Sequence, residues 1–145
     1  MIVTGVHMSE IDHNLFMGCT PVYYGGVVDP SFTAVVNLYP WKEYEWHLGQ
    51  LMVKWPIFDT HNQPDAPQPR EELLEELGDL VNRLRKHGKV LVHCEQGLNR
   101  SGLVVALALI KSGMTPDQAI AHVKKKREGA LFNESFCAWL RRRPA

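Results

Sequence analysis

The stretch Lys89-Val90-Leu91-Val92-His93-Cys94-Glu95-Gln96-Gly97-Leu98-Asn99-Arg100-Ser101-Gly102-Leu103-Val104-Val105-Ala106-Leu107-Ala108-Leu109-Ile110 decides how this chain is read. Val90-Leu91-Val92 is apolar on both faces, as a strand covered on both sides must be. Leu103 to Ile110 is apolar all round, which in a helix means burial on every side, until Gly113 ends it. Between the two lies a short loop from His93 to Ser101 in which five residues separate Cys94 from Arg100. A loop that closes onto a helix N-terminus can aim the backbone N–H groups of Glu95, Gln96, Gly97, Leu98, Asn99 and Arg100 at one centre, and such a nest holds an anion.

Each residue type in the loop has a use there. Gly97 lacks a Cβ, so it can take positive φ and let the backbone turn tightly against a ligand. The planar guanidinium of Arg100 can grip two phosphate oxygens at once, which the point charge of a lysine does poorly. Cys94 sits where a helix N-terminus and a cation favour thiolate over thiol, and the thiolate is the nucleophile. Ser101 can hydrogen-bond that sulfur and stabilise it as a leaving group. His93 is read as orienting the loop through a ring hydrogen bond to its backbone.

Cys-x5-Arg alone is weak, since chance supplies it in a chain of this composition with probability on the order of one in six. Cys137 and Arg143 have the same separation, but they lack a glycine and lie in a helical pattern, so that pair reads as structural. The first pair has His before Cys, Gly at the third loop position, Ser after Arg, and the strand and helix that an anion cradle requires.

Outward from the loop, Leu73, Leu74, Leu77, Leu80, Val81 and Leu84 recur at helical spacing and mark one apolar face, with Glu71 and Glu72 at the start and Arg83, Arg85 and Lys86 at the end. Thr115-Pro116-Asp117-Gln118 opens another helix with a capping box and runs to about Arg127. Asn133 caps a last helix in which Phe136, Leu140 and Trp139 face inward and Arg141 to Arg143 face out. In the first sixty residues Ile2 to Val6, Leu15 to Cys19, Ala34 to Leu38 and Leu51 to Ile57 read as strands, with Pro56 at a strand end. The proline-rich segment from Thr60 to Pro69 reads as a surface loop. The expected fold class is α/β: residues 1–145 as a single domain, a central mixed sheet flanked by helices, and the anion loop between a buried strand and the core helix. Ligands then bind beyond the carboxyl ends of the strands.

Composition sets bounds. Hydrophobic residues make up 45% and charged residues 22%, as in ordinary soluble domains. Sixteen basic residues balance sixteen acidic ones, so no global field gathers nucleic acid, and anion selectivity must be local. Lys124-Lys125-Lys126-Arg127 and Arg141-Arg142-Arg143 read as solvated helix faces rather than an RNA surface. Trp41, Trp46, Trp55 and Trp139 read as core or rim packing. Three cysteines without regular spacing argue against a disulfide framework and suit a reducing cytoplasm; Cys19 and Cys137 read as packing thiols, with a redox partner for Cys94 as the alternative. The longest apolar run, Leu103 to Ile110, is far short of the roughly 20 residues that span a bilayer, and the start does not read as a signal peptide.

His93-Cys94-x5-Arg100-Ser101, with its strand and helix, resembles the protein tyrosine phosphatase superfamily, and within it the compact dual-specificity branch. The resemblance extends to Leu15-Phe16-Met17-Gly18, the segment around Asp59, and Gly129-Ala130-Leu131-Phe132-Asn133. It implies a cysteinyl-phosphate intermediate at Cys94, Arg100 on the phosphate, no metal, no cofactor, and an aspartate on a separate loop that protonates the leaving oxygen and later activates water. In Trp55-Pro56-Ile57-Phe58-Asp59-Thr60 that residue is Asp59, with Asp65 the rival in the same loop. The implied partner is a phosphorylated protein or peptide, and Glu95 in the loop disfavours highly charged inositol phosphates. Gly97-Leu98-Asn99-Arg100 also resembles cysteine-dependent RNA 5′-triphosphatases. A phospho-ligand module without turnover and a rhodanese-like sulfur carrier are further alternatives, each fitting His93, Arg100, Ser101 and Asp59 less well.

Overall fold

The computed structural model describes residues 7–144. Five strands, β1 (Met8–Asp12), β2 (Leu15–Gly18), β3 (Phe32–Asn37), β4 (Leu51–Lys54) and β5 (Lys89–His93), form one sheet in the order β1-β2-β5-β3-β4. Among the described residues the β1–β2 pairing is antiparallel and the other three are parallel. Four helices, α1 (Glu71–Arg85), α2 (Arg100–Lys111), α3 (Pro116–Lys126) and α4 (Glu134–Arg141), complete an α/β fold with a mixed sheet.

With both faces of the sheet covered, β2 is buried throughout and β5 from Val90 to His93, and strand alternation divides their side chains between two clusters. Leu15, Met17, Val90, Val92 and Cys94 join the core shared with the helices, whereas Phe16 and Leu91 join a second cluster with Met8, Val28, Phe32 and Val35. Tyr24, Tyr44 and Met52 cover that second cluster from outside. Every residue of α2 from Arg100 to Ile110 is buried, because this helix lies among α1, α3, α4 and the strands β2 and β5.

Several boundaries differ from the sequence reading. β2 ends at Gly18 and β3 runs from Phe32 to Asn37. β4 stops at Lys54, although Trp55 and Ile57 still donate main-chain hydrogen bonds to Asn37 and Leu38; Pro56 between them has no N–H to continue the ladder. The strand expected over Ile2 to Val6 lies outside the described residues. β1 was not expected: its two apolar residues, Met8 and Ile11, fall on opposite faces, with a bulge between Glu10 and Asp12. Leu73 is 40% exposed, so the apolar face of α1 begins at Leu74. The Thr115–Gln118 capping box and the Asn133 cap are both formed. Arg143 is not outside: its side chain is only 13% exposed and pairs with Glu71 and Glu75 of α1, tying α4 to it.

Candidate active site

Four parallel strands turn their carboxyl ends to one end of the sheet, and each delivers a piece of the site there. β5 leads into the loop from Cys94 to Asn99, β2 into Cys19 and Thr20, β3 into Tyr39 and Trp41, and β4 into Ile57, Phe58 and Asp59.

The loop is held from outside by its carbonyl oxygens. Thr20 N–H donates to Glu95 O at 3.0 Å, Leu131 N–H to Leu98 O at 3.1 Å, and Leu103 N–H to Asn99 O at 2.8 Å. The Arg127 guanidinium donates through Nε to Gly97 O at 2.6 Å and through Nη2 to Gln96 O at 3.4 Å. Five successive carbonyls therefore face away from the loop centre. The N–H of Gly97 points inward to Cys94 Sγ at 3.2 Å, and those of Glu95, Gln96, Leu98 and Asn99 meet no main-chain acceptor among the described residues. Gly97 has φ +76°, and a Cβ there would fall 2.2 Å from the Gly18 carbonyl carbon and 2.5 Å from the Cys19 nitrogen. The loop lies flat on the end of β2 because Gly97 carries no side chain.

Cys94 is 2% exposed at the centre of this ring, with Sγ 3.4 Å from Ser101 Oγ. Arg100 leaves the first turn of α2 with Nη1 on Ile57 O at 3.3 Å, its Cζ 5.1 Å from the Tyr39 ring centroid and Nη2 3.8 Å from Glu95 Oε1. Its Nε is buried and has no hydrogen-bond partner among the described residues. A buried donor left open costs about 1–3 kcal/mol unless a ligand meets it, so the Nε–Nη2 edge is matched to an oxyanion. Tyr23 Oη donates to Glu95 Oε2 at 2.9 Å, and that bond pushes the Tyr23 phenol above its ordinary pKa.

His93 projects from the opposite face of the sheet. Its Nδ1 is 3.2 Å from Cys94 O and its Nε2 is 2.6 Å from Tyr44 Oη. A carbonyl only accepts, so Nδ1 carries the hydrogen and Nε2 accepts from the Tyr44 hydroxyl. Burial depresses the ring to a pKa of about 4, which keeps it neutral.

Asp59 is 8% exposed, and its side chain reaches the loop directly: Asn99 Nδ2 donates to Oδ2 at 2.9 Å. Asn133 Nδ2 donates to Oδ1 at 2.7 Å and His61 N–H to the same oxygen at 3.0 Å. Tyr39, Trp41, Phe58, Asp59, Glu95 and Arg100 border one open cleft of about 410 Å³. Asp65 is exposed and stands apart from that cleft. The structure thus gathers Cys94, the loop from Glu95 to Asn99, Arg100, Ser101 and Asp59, places His93 behind them, and leaves Asp65 out.

Arg127, Tyr44 and the side chain of Asn99 were missed by sequence reasoning, and Asn133 was read only as a helix cap, not as a partner of Asp59. Arg127 ends a basic run read as a solvated face, yet it is 5% exposed. Among the described residues no group of three or more His, Cys, Asp or Glu side chains could hold a metal ion, and no helix is long and apolar enough to cross a membrane.

The family model described as dual specificity phosphatase, catalytic domain, matches residues 27–143, from the segment before β3 through the Cys94 loop to the end of α4. The chain belongs to the dual specificity phosphatase catalytic-domain family. Dual specificity phosphatase architecture is also what the solved structures share with it. The crystal structure of human DUSP28 aligns with TM-score 0.68 and 24% identity over 96% of this chain and 93% of that one. A mouse putative dual specificity phosphatase complexed with zinc tungstate aligns with TM-score 0.74 and 23% identity over 97% and 87%. At these identities the likeness is one of fold. Bos taurus protein tyrosine phosphatase type IVA 3 is 36% identical over 98 residues, 66% of this chain and 54% of that protein. The chain therefore spans about half the length of such relatives.

Proposed function

We propose that this dual specificity phosphatase domain hydrolyses phosphomonoesters through a covalent intermediate on Cys94. The observation that carries the reading is the loop whose five carbonyls are tied outward while the Gly97 N–H points in to Cys94 Sγ, with Arg100 at the loop's end keeping a buried Nε that no described residue satisfies. In the first step Cys94 Sγ attacks phosphorus, the S–P bond forms, the ester P–O bond breaks, and Asp59 passes a proton to the departing oxygen. Backbone N–H groups and Arg100 hold the equatorial oxygens through the trigonal bipyramid. In the second step the Asp59 carboxylate takes a proton from water as its oxygen attacks phosphorus. The S–P bond breaks, Cys94 leaves as thiolate stabilised by Ser101, and inorganic phosphate is released. No metal or cofactor enters either step. Asp59 is preferred over Asp65 because it borders the cleft and Asp65 does not.

The cleft favours a phosphorylated protein or peptide. Trp41 is 49% exposed, its ring centroid lies 5.0 Å from that of Phe58, and with Tyr39 the two form an aromatic wall beside Arg100, matched to a phosphotyrosyl ring. Glu95 and Asp59 place two carboxylates at the same rim, which opposes a polyphosphate end such as that of RNA. A cytoplasmic site of action accords with three unpaired, buried cysteines.

Metal-free protein assayed on 4-nitrophenyl phosphate, on phosphotyrosine, phosphoserine and phosphothreonine peptides, and on 5′-triphosphate RNA tests the reading. The expected result is turnover of the monoesters, abolished in Cys94→Ser. Asp59→Ala should slow phosphoserine peptide about 100-fold or more, and Asp65→Ala should not. A preference for the RNA triphosphate, barely slowed by Asp59→Ala, would favour the 5′-triphosphatase reading, since that leaving group is stable as an anion. Phosphopeptide binding without turnover would make the domain a binding module.

A further inference from the structure

We propose that Asn133 and Asn99 are positioning residues that clamp Asp59 and leave Oδ2 as the one oxygen that exchanges the proton with substrate. The proposal deepens the reading of Asp59 as general acid and base, and rests on it.

The orientation of both amides is fixed by partners that can only donate. Asn133 Oδ1 accepts from Phe136 N–H at 3.1 Å, so its Nδ2 must be the atom facing Asp59. Asn99 Oδ1 accepts from Asn133 N–H at 2.9 Å, so its Nδ2 likewise faces Asp59. The two amides are thereby chained to each other and to the first turn of α4. Asn133 Nδ2 spends its other hydrogen on Thr60 Oγ1 at 3.0 Å, which ties down the residue after Asp59 as well.

A carboxylate oxygen offers two in-plane lone pairs. On Asp59 Oδ1 both are taken, by Asn133 Nδ2 and His61 N–H. On Oδ2 one is taken, by Asn99 Nδ2, and no other described residue takes the second. The transferable proton can therefore sit on Oδ2 only, and Asn99, a member of the phosphate loop, sets the direction in which that lone pair points. When the ester bond breaks, Oδ2 gives its proton to the leaving oxygen; when water attacks, Oδ2 takes one back. A donor fixed on each oxygen also holds the loop after β4 against the phosphate loop. The acid is thus already in place before substrate arrives, which shortens the reorganisation the step needs.

The clamp predicts damage selective for leaving groups that need the proton. Asn133→Asp keeps the shape and the helix cap, since Asp caps as well as Asn, but removes the donor to Oδ1 and sets a carboxylate against it. Asn133→Ser keeps the cap and simply withdraws the donor. The measurement is the ratio of kcat on a phosphoserine peptide to kcat on an aryl phosphate with an activated leaving group. The ratio should fall tenfold or more in both variants, and also in Asn99→Ser. Adding Asn133→Ser to Asp59→Ala should lower the ratio no further, because the clamp acts only through that carboxylate. A ratio unchanged in folded Asn133→Asp, Asn133→Ser and Asn99→Ser, while Asp59→Ala lowers it, overturns the clamp. If Asp59→Ala itself leaves the ratio unchanged, the assignment of the acid underneath has failed instead.

Discussion

Tyr44 Oη stands 2.6 Å from His93 Nε2, across the sheet from the Cys94 sulfur, and it gives the buried imidazole a donor on the side away from the phosphate loop. The ring's other nitrogen holds Cys94 O, so one tyrosine on a long irregular loop fixes the tautomer that fixes the start of the phosphate loop. Tyr44→Phe leaves Nε2 buried without a partner. It should cost about 1–3 kcal/mol of stability, read as a lowered urea midpoint at unchanged m-value.

Acid sensitivity follows from the same ring. Burial holds His93 at a pKa of about 4 in the folded protein, against an ordinary value near 6.5 in the unfolded chain. Above about pH 6.5 neither state is protonated there and the stability is fully present. As pH falls from about 6.5 towards 4 the unfolded chain takes up the proton and the folded one does not, so about 3 kcal/mol is lost across that window. Urea unfolding at half-unit pH steps should show the slope, and His93→Asn should flatten it.

Gly97→Ala tests whether the loop must lie on the end of β2. The new Cβ would meet the backbone of Gly18 and Cys19 at 2.2–2.5 Å, in a residue already at φ +76°. Backbone cannot step aside as a side chain can, so the loop must lift. About 2–4 kcal/mol of destabilisation is expected, together with a fall of at least about 100-fold in kcat/KM.

Arg127 holds two of the five outward carbonyls although it comes from the far end of α3. Arg127→Gln should cost about 2–3 kcal/mol and lower kcat/KM by about tenfold or more, because the carbonyls of Gln96 and Gly97 lose their donors and the loop loosens. Arg127→Lys should recover only part of both losses, since an ammonium cannot reproduce the planar fork. Thermal melts and steady-state kinetics on an aryl phosphate measure the two effects.

The central strand and helix were legible because burial on both faces leaves an unbroken apolar run, and the loop because its residue types stand together in the chain. β1 was not, since Met-Ser-Glu-Ile-Asp puts one apolar residue on each face and shows no alternation. Arg127 and Arg143 were read as solvated because a basic run looks alike whether its last member faces water or a carbonyl far away in sequence. Asn99 was read for its N–H alone; its side chain matters through Asp59 and Asn133, contacts that only folding supplies. Asp59 and Asp65 share one proline-rich loop, and the distinction between them appears once Arg100 and Asp59 are seen on one cleft.

The most direct test of the account is the chemical state of Cys94 during turnover. Rapid acid quenching of the protein with a phosphotyrosine peptide carrying a radioactive phosphoryl group, followed by peptide mapping, should place the label on the Cys94 sulfur. The label should appear before phosphate is released and be absent in Cys94→Ser. Full turnover with no label on Cys94, or turnover that survives Cys94→Ser, would contradict it.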